Sequence, residues 1–116
     1  MFAEDIRKSA KENTNFRKVI FTGKHSQIVV MSIPIGGDIG LETHDDTDQL
    51  LFFVSGEGEA IIKGEARIVG ENDIVFVPAG SEHNFQNIGE TDLKLFTVYS
   101  PPEHPDGTVQ ATKNEK

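Results

Sequence analysis

Apolar and polar residues alternate along most of the chain, from Phe16 to Tyr99. Successive side chains of a β-strand point to opposite faces of the sheet, so a period of two is typical of half-buried strands. The apolar segments recur at short intervals and are separated by turns that contain glycine. They predict strands over residues 18–22, 27–33, 49–54, 59–63, 66–69, 74–77, 83–88 and 93–99. Many short strands joined by such turns indicate an all-β sandwich or barrel.

Both ends of the chain depart from this alternation. Residues 1–16 are polar and have weak helical spacing through Ile6 and Ala10, which predicts a short N-terminal helix or an arm that crosses the sheet. Residues 101–116 contain prolines, which cannot donate the backbone hydrogen bonds of a sheet. The sequence therefore predicts an arm over 1–16, one barrel domain over 17–100 and a polar tail over 101–116.

Composition and charge narrow the choice of partners. The net charge of -8 would repel nucleic-acid phosphates, so no nucleic acid is expected to bind. The absence of cysteine excludes thiolate metal sites and fits a reducing cytoplasm. No apolar run approaches the roughly 18 residues of a membrane span, and the N-terminus is charged where a signal peptide is apolar. We therefore expect a soluble cytoplasmic protein that does not bind membranes.

Two stretches in different predicted strands contain side chains that bind divalent metals. The first begins at His44 and continues through Asp46, Asp48 and Gln49, and the second ends at His83. Neutral imidazole is a ligand for zinc, iron, manganese, nickel and copper, and two imidazoles on facing strands of a narrow barrel can reach one ion. The sequence therefore predicts a divalent metal site at which the two stretches meet.

The second stretch resembles a motif of the cupin superfamily, whose members are double-stranded β-helix, or jelly-roll, barrels. It reads Pro78-x-Gly80-x-x-His83-x-x-x-Asn87, with Asp73 in its usual place ahead of the proline. The resemblance implies an all-β cupin barrel preceded here by the short helix or arm. It also implies a homodimer that binds a small-molecule ligand.

The first stretch resembles the other cupin motif in part. That motif reads Gly, five residues, His-x-His, three or four residues, Glu, six residues, Gly. Aligned on the closing Gly56, the chain has His44 at the first histidine, Asp46 at the second and Gln49 at the glutamate, in a segment one residue shorter than usual. The resemblance therefore implies His44, Gln49 and His83 as metal ligands.

Each of these roles has a simpler alternative. His44 and His83 are also polar residues of a kind found at a barrel mouth, and Gln49 would serve equally as a hydrogen-bonding strand residue. A neutral amide oxygen is a weaker donor than a carboxylate, so Asp46 or Asp48 is expected near the metal as a ligand or as a partner of a ligand. The alternative for these two residues is a solvated acidic loop.

Two kinds of function fit these features. The first is a metal-dependent enzyme of the isomerase, lyase or dioxygenase type that acts on a small oxygenated molecule. In that case Asp46 and Asp48 are the candidates for proton transfer, because the spacing connects no other ionisable side chain to the site. The second is a non-catalytic module that binds a small molecule or a metal, because the second histidine and the glutamate of the first motif are replaced.

Overall fold

The structure is a computed structural model that describes residues 1–114, and residues 115 and 116 of the predicted tail lie outside the described residues. The elements are α1 (Ile6–Glu12), β1 (Arg17–Thr22), β2 (Gln27–Ile33), β3 (Asp48–Ser55), β4 (Glu57–Ile62), β5 (Glu65–Gly70), β6 (Ile74–Val77), β7 (His83–Asn87), β8 (Leu93–Ser100) and β9 (Val109–Gln110). Within residues 1–114, no helix is long and apolar enough to span a membrane.

Two antiparallel sheets make up the molecule. The larger sheet has six strands in the order β6-β3-β8-β2-β1-β9, and the smaller has three in the order β5-β4-β7. Strands account for 47% of the residues and helix for 6%, so nearly all of the regular structure is β. The predicted all-β fold with a short N-terminal helix is confirmed.

The interior changes from apolar to polar along its length. On β8, alternate residues are buried, and the inward series runs Leu93, Leu95, Thr97, Tyr99. The two leucines belong to one apolar cluster that also contains Phe53 and other residues of both sheets. The last two residues of the series carry hydroxyl groups into the interior, and the ring of Tyr99 also packs in this cluster. The barrel therefore has an apolar floor and a polar mouth, and the mouth holds the candidate site.

The N-terminal helix covers the outer face of the larger sheet. It begins at the N-cap Asp5, whose side chain accepts a hydrogen bond from the backbone N–H of Lys8 at 3.1 Å. Ala10 of α1 is buried against Val30 and Val54 on that face. Of the two predicted alternatives for this segment, the structure contains the helix.

The tail folds across the barrel mouth. Gln27 Nε2 donates to the His104 carbonyl at 2.7 Å, and Gln27 Oε1 accepts from the backbone N–H groups of Glu103 and His104 at 3.2 and 3.0 Å. Beyond the prolines, β9 pairs with the start of β1. Residues 101–110 are therefore part of the wall of the mouth.

Gly56 and Gly64 provide a matched test of how tightly the strand connections are packed. Both have positive φ, +94° and +80°. A Cβ on Gly56 would lie 2.7 Å from the Asp92 carbonyl oxygen, whereas a Cβ on Gly64 would meet nothing within 4 Å. We expect Gly64→Ala to lower the free energy of unfolding by about 1 kcal/mol, from backbone strain alone. Gly56→Ala should lower it by about 2–4 kcal/mol, because backbone must also move.

Urea denaturation followed by circular dichroism measures both effects. Equal losses of unfolding free energy in the two variants would contradict the close approach of the β3–β4 turn to the residues just before β8.

Candidate metal centre

A short backbone pairing brings the two sequence stretches together. The N–H of Glu42 donates to the carbonyl of His83 and the N–H of His83 donates to the carbonyl of Glu42, each at 2.9 Å. Residues paired in this way project their side chains on the same side. The Glu42 carboxylate and the His83 imidazole are therefore neighbours, and His83 is 2% exposed.

His44 lies on the same side, because its Nε2 is 2.9 Å from Glu42 Oε2. Its carbonyl accepts a hydrogen bond from the backbone N–H of Gly80 at 2.8 Å, which ties it to the turn ahead of β7. One ligand atom from each of Glu42, His44 and His83 lies within 4.8 Å of the others. These three side chains form the cluster in residues 1–114 that could hold a metal ion.

The His83 ring is oriented by a backbone group. Its Nδ1 lies 2.9 Å from the Ser81 carbonyl oxygen, which can only accept a hydrogen bond. Nδ1 therefore carries a proton, and in the neutral ring Nε2 keeps its lone pair. Metal-binding histidines usually have this arrangement, in which a second contact fixes the tautomer.

The His44 ring is oriented by a carboxylate from the tail. Its Nδ1 lies 3.0 Å from Glu103 Oε1, and Thr47 Oγ1 donates to Glu103 Oε2 at 3.1 Å. With the proton on Nδ1, His44 Nε2 carries a lone pair, yet it lies only 2.9 Å from Glu42 Oε2. The contact does not have hydrogen-bond geometry, and Nε2 is buried without a hydrogen-bond partner in residues 1–114. Such a contact is stabilised by a positive charge, supplied either by a second proton on the imidazole or by a metal ion bound to both atoms, so this donor set fits a metal ion.

The Gln49 side chain makes its hydrogen bonds through its amide nitrogen. The Thr97 hydroxyl donates to the Leu50 carbonyl at 2.9 Å, so its oxygen must accept from Gln49 Nε2, 3.1 Å away. Nε2 also donates to the Tyr99 hydroxyl at 3.2 Å. The identity of Nε2 is thereby fixed, and Gln49 Oε1 is a buried acceptor without a partner in the described residues. An unsatisfied oxygen of this kind also fits a cation ligand.

Burial shifts two titratable groups at the mouth. It raises the pKa of Tyr99 well above its usual range, so the hydroxyl keeps its proton. Burial, and then the positive charge of Arg17, lowers the pKa of His104 to about 4, so its imidazole is neutral at pH 7. The His104 ring stands edge-on to Tyr99, with 5.1 Å between centroids.

Asp46 and Asp48 lie outside the cluster. Asp46 is exposed in the turn before β3. Asp48 is also exposed, and its Oδ1 accepts a hydrogen bond from the backbone N–H of Ala79 at 2.9 Å. The structure therefore brings His44 and His83 together with Glu42, and gives Asp48 a contact that holds a turn.

The sequence contained a signal for Glu42 that the alignment on His44 missed. Gly36, five residues, Glu42-x-His44, four residues, Gln49, six residues and Gly56 keeps every interval of the first cupin motif. In that alignment Glu42 replaces the first histidine, His44 is the second, and no residue is missing. Glu103 lies far outside both motifs, so only the folded tail reveals it.

A comparison with protein families identifies the fold. The family model described as a cupin domain matches residues 29–99, more than half of the chain. The chain is a cupin. The uncharacterized protein YrkC of Bacillus subtilis is 44% identical to it over 97% of the chain. The chain spans 63% of the length of that protein.

Solved cupin structures superpose on this one. A Bacillus halodurans protein matches with a TM-score of 0.95 and 39% identity, over 97% of this chain and 89% of that one. A Thermotoga maritima protein described as a predicted oxalate decarboxylase matches with a TM-score of 0.64 and 26% identity, over 68% of this cupin and 69% of that chain. The predicted family and barrel fold are confirmed.

The lowered pKa of His104 predicts how stability depends on pH. Between about pH 6.5 and pH 4 the unfolded chain binds a proton on His104 that the folded protein does not. The contribution of neutral His104 to the free energy of unfolding is therefore complete above pH 6.5 and is lost as the pH falls towards 4. We expect the advantage of the wild type over His104→Phe to shrink over this range.

Urea denaturation at several pH values in chelator, which removes any effect of metal, measures this difference. His25→Gln, in the exposed turn between β1 and β2, is the control. A difference between wild type and His104→Phe that is independent of pH would contradict the shift.

Proposed function

We propose that this cupin is a divalent-metal protein that acts on a small oxygenated molecule. The proposed ligands are His44 and His83, Glu42, and the carbonyl oxygen of Gln49. The observation that carries the proposal is the contact between His44 Nε2 and Glu42 Oε2, which lie 2.9 Å apart without hydrogen-bond geometry. Zinc, iron, manganese, nickel and copper all fit a set of two imidazoles and oxygen donors.

The chemistry that follows is that of a Lewis acid. A bound ion would polarise an oxygen atom of the ligand or activate a water molecule. The chain's own residues supply the rest: Glu103 and the Ser81 carbonyl orient the two imidazoles, and Tyr99 offers a protonated hydroxyl in the same mouth. The Thermotoga maritima protein described as a predicted oxalate decarboxylase is consistent with catalysis, in the form of a lyase.

One observation favours the second candidate, a non-catalytic binding module. Neither Asp46 nor Asp48 belongs to the cluster of His44, His83 and Glu42 within residues 1–114. With both carboxylates outside the cluster, the site lacks the proton-transfer groups that the sequence predicted, which favours binding without conversion.

We expect the ligands to control metal content. His44→Ala, His83→Ala and Glu42→Gln should each retain much less metal than the wild type after dialysis against Zn²⁺, while β-sheet circular dichroism is unchanged. Glu103→Gln should weaken binding about 10–100-fold, because it removes only the charge that orients His44. Gln49→Glu should strengthen binding, since it replaces a neutral oxygen with a carboxylate.

Elemental analysis of protein without a histidine tag gives the metal content, and His25→Ala is the control for loss of a surface imidazole. Metal should also raise the free energy of unfolding by about 2.7 kcal/mol at a hundred times its dissociation constant. Equal metal content in His44→Ala, His83→Ala and the wild type would contradict the assignment of these histidines as metal ligands.

A screen for turnover separates the two candidate functions. If Asp46 or Asp48 transfers a proton, its change to Asn should reduce turnover of any substrate found by about 10²–10⁴-fold while metal content stays constant. Turnover that survives both changes would remove the role proposed for these residues. Metal-dependent binding without product across small carbonyl, phenolic and sugar-derived compounds would favour the module.

We also propose a cytoplasmic homodimer. The support lies at β5 and β6, which are at the edges of their sheets among the described strands. Ile68, Ile74 and Phe76 are more than half exposed there, along a groove of about 720 Å³ that lies away from the metal cluster. A second copy would cover this apolar surface, and sedimentation velocity would show a mass of one chain if the proposal is wrong.

A further inference from the structure

Arg17 is a buried cation at the barrel mouth. It is the first residue of β1 and is 8% exposed. Nη1 donates to the neutral Gln110 Oε1 at 2.7 Å, and the Phe16 ring centroid lies 5.1 Å from Cζ. Nε is buried and has no hydrogen-bond partner in residues 1–114. Burying a guanidinium is unfavourable unless its charge and its donors are matched.

The available negative charge is shared between Arg17 and the metal centre. The ion pair that Arg17 makes within the described residues is with Glu42, whose Oε1 lies 3.7 Å from Nη2. The other oxygen of the same carboxylate lies 2.9 Å from His44 Nε2, where the proposed metal would bind. A divalent ion and Arg17 together carry three positive charges, and Glu42 and Glu103 supply two negative ones. With the proposed ion bound, these groups together carry an excess of one positive charge.

Tyr99 adds a hydrogen-bond donor next to Arg17. Its oxygen accepts from Gln49 Nε2 at 3.2 Å, and its ring stands edge-on to His44 with 5.8 Å between centroids. His44 contacts the same Glu42 carboxylate that pairs with Arg17, so the two side chains face one site. With its oxygen accepting from Gln49, the Tyr99 hydroxyl can donate its hydrogen to a ligand. A guanidinium and a hydroxyl donor side by side are a common arrangement for binding a carboxylate.

We propose that Arg17 and Tyr99 form an anion subsite, and that the ligand of this cupin is a small carboxylic acid with a second oxygen beside the carboxylate, such as a 2-hydroxy acid. The inference rests on the proposed metal centre, which binds the same ligand through its oxygens. A monoanion neutralises the excess charge and accepts the unused donors of Arg17 and Tyr99. A neutral polyol or amide of the same size does not.

Lactate and lactamide test the subsite as a matched pair. The two differ in charge but keep the hydroxyl and the carbonyl oxygen that a metal ion binds. Isothermal titration calorimetry of the Zn²⁺-loaded protein gives the ratio of the two dissociation constants. We expect the wild type to prefer lactate, and this preference to fall about 10–100-fold in Arg17→Met. Because both proteins are loaded with Zn²⁺, the change in ratio measures the loss of the guanidinium, including its effect on the shared Glu42 carboxylate.

Two further variants keep the test decisive. Tyr99→Phe removes only the hydroxyl and should reduce the preference several-fold. Arg67→Met, on the exposed face of β5, should leave the preference at the wild-type value. If Arg17→Met does not fold, Arg17→Lys takes its place, since it keeps the charge and loses the planar pair of donors.

The outcomes separate this inference from the proposed function. An Arg17→Met protein that holds Zn²⁺ and melts cooperatively, but keeps the full preference for lactate, overturns the anion subsite and leaves the metal centre intact. An unchanged preference in both Arg17→Lys and Tyr99→Phe overturns it as well. A wild type that retains no Zn²⁺ contradicts the proposed function, and the subsite with it.

Discussion

The two backbone hydrogen bonds between Glu42 and His83 are the constraint on which the candidate site depends. They connect the segment that leads into β3, in the larger sheet, with the first residue of β7, in the smaller one. This link brings a carboxylate and an imidazole together, and His44 follows on the same side two residues later. The donor set is therefore a product of the way in which the two sheets close on each other, and it does not depend on a flexible loop.

The polar mouth is stabilised by contacts that each satisfy one particular atom. Ser81 and Glu103 accept hydrogen bonds from the Nδ1–H groups of His83 and His44, and the Thr97 hydroxyl accepts one from the side-chain amide of Gln49. Behind these groups lies the apolar floor of the barrel, where water is excluded and electrostatic interactions are stronger than in bulk solvent. In such surroundings an unpartnered acceptor is unfavourable, so the atoms without partners indicate where a cation or ligand would bind.

The sequence predicted the barrel well because its main signals are local. A period of two and glycine turns locate strands, and the motif around His83 places one imidazole at the start of β7. Glu42 was missed because the first motif was aligned from His44 onward, although the interval from Gly36 to Glu42 was intact. Glu103 could not be found in this way, since its contact with His44 spans 59 residues and depends on the path of the tail. Local patterns in the sequence indicate which face of a strand a residue occupies. Contacts between distant segments can be identified only in the folded structure.

The path of the tail also determines whether the site is complete. The proposed metal donors lie between residues 42 and 83, yet the carboxylate that orients His44 and the amide that holds Arg17 come from residues 103 and 110. A chain that ended at β8 would contain both histidines but would lack these two partners. The segment after β8 therefore couples the orientation of a proposed metal ligand to the position of the proposed anion subsite.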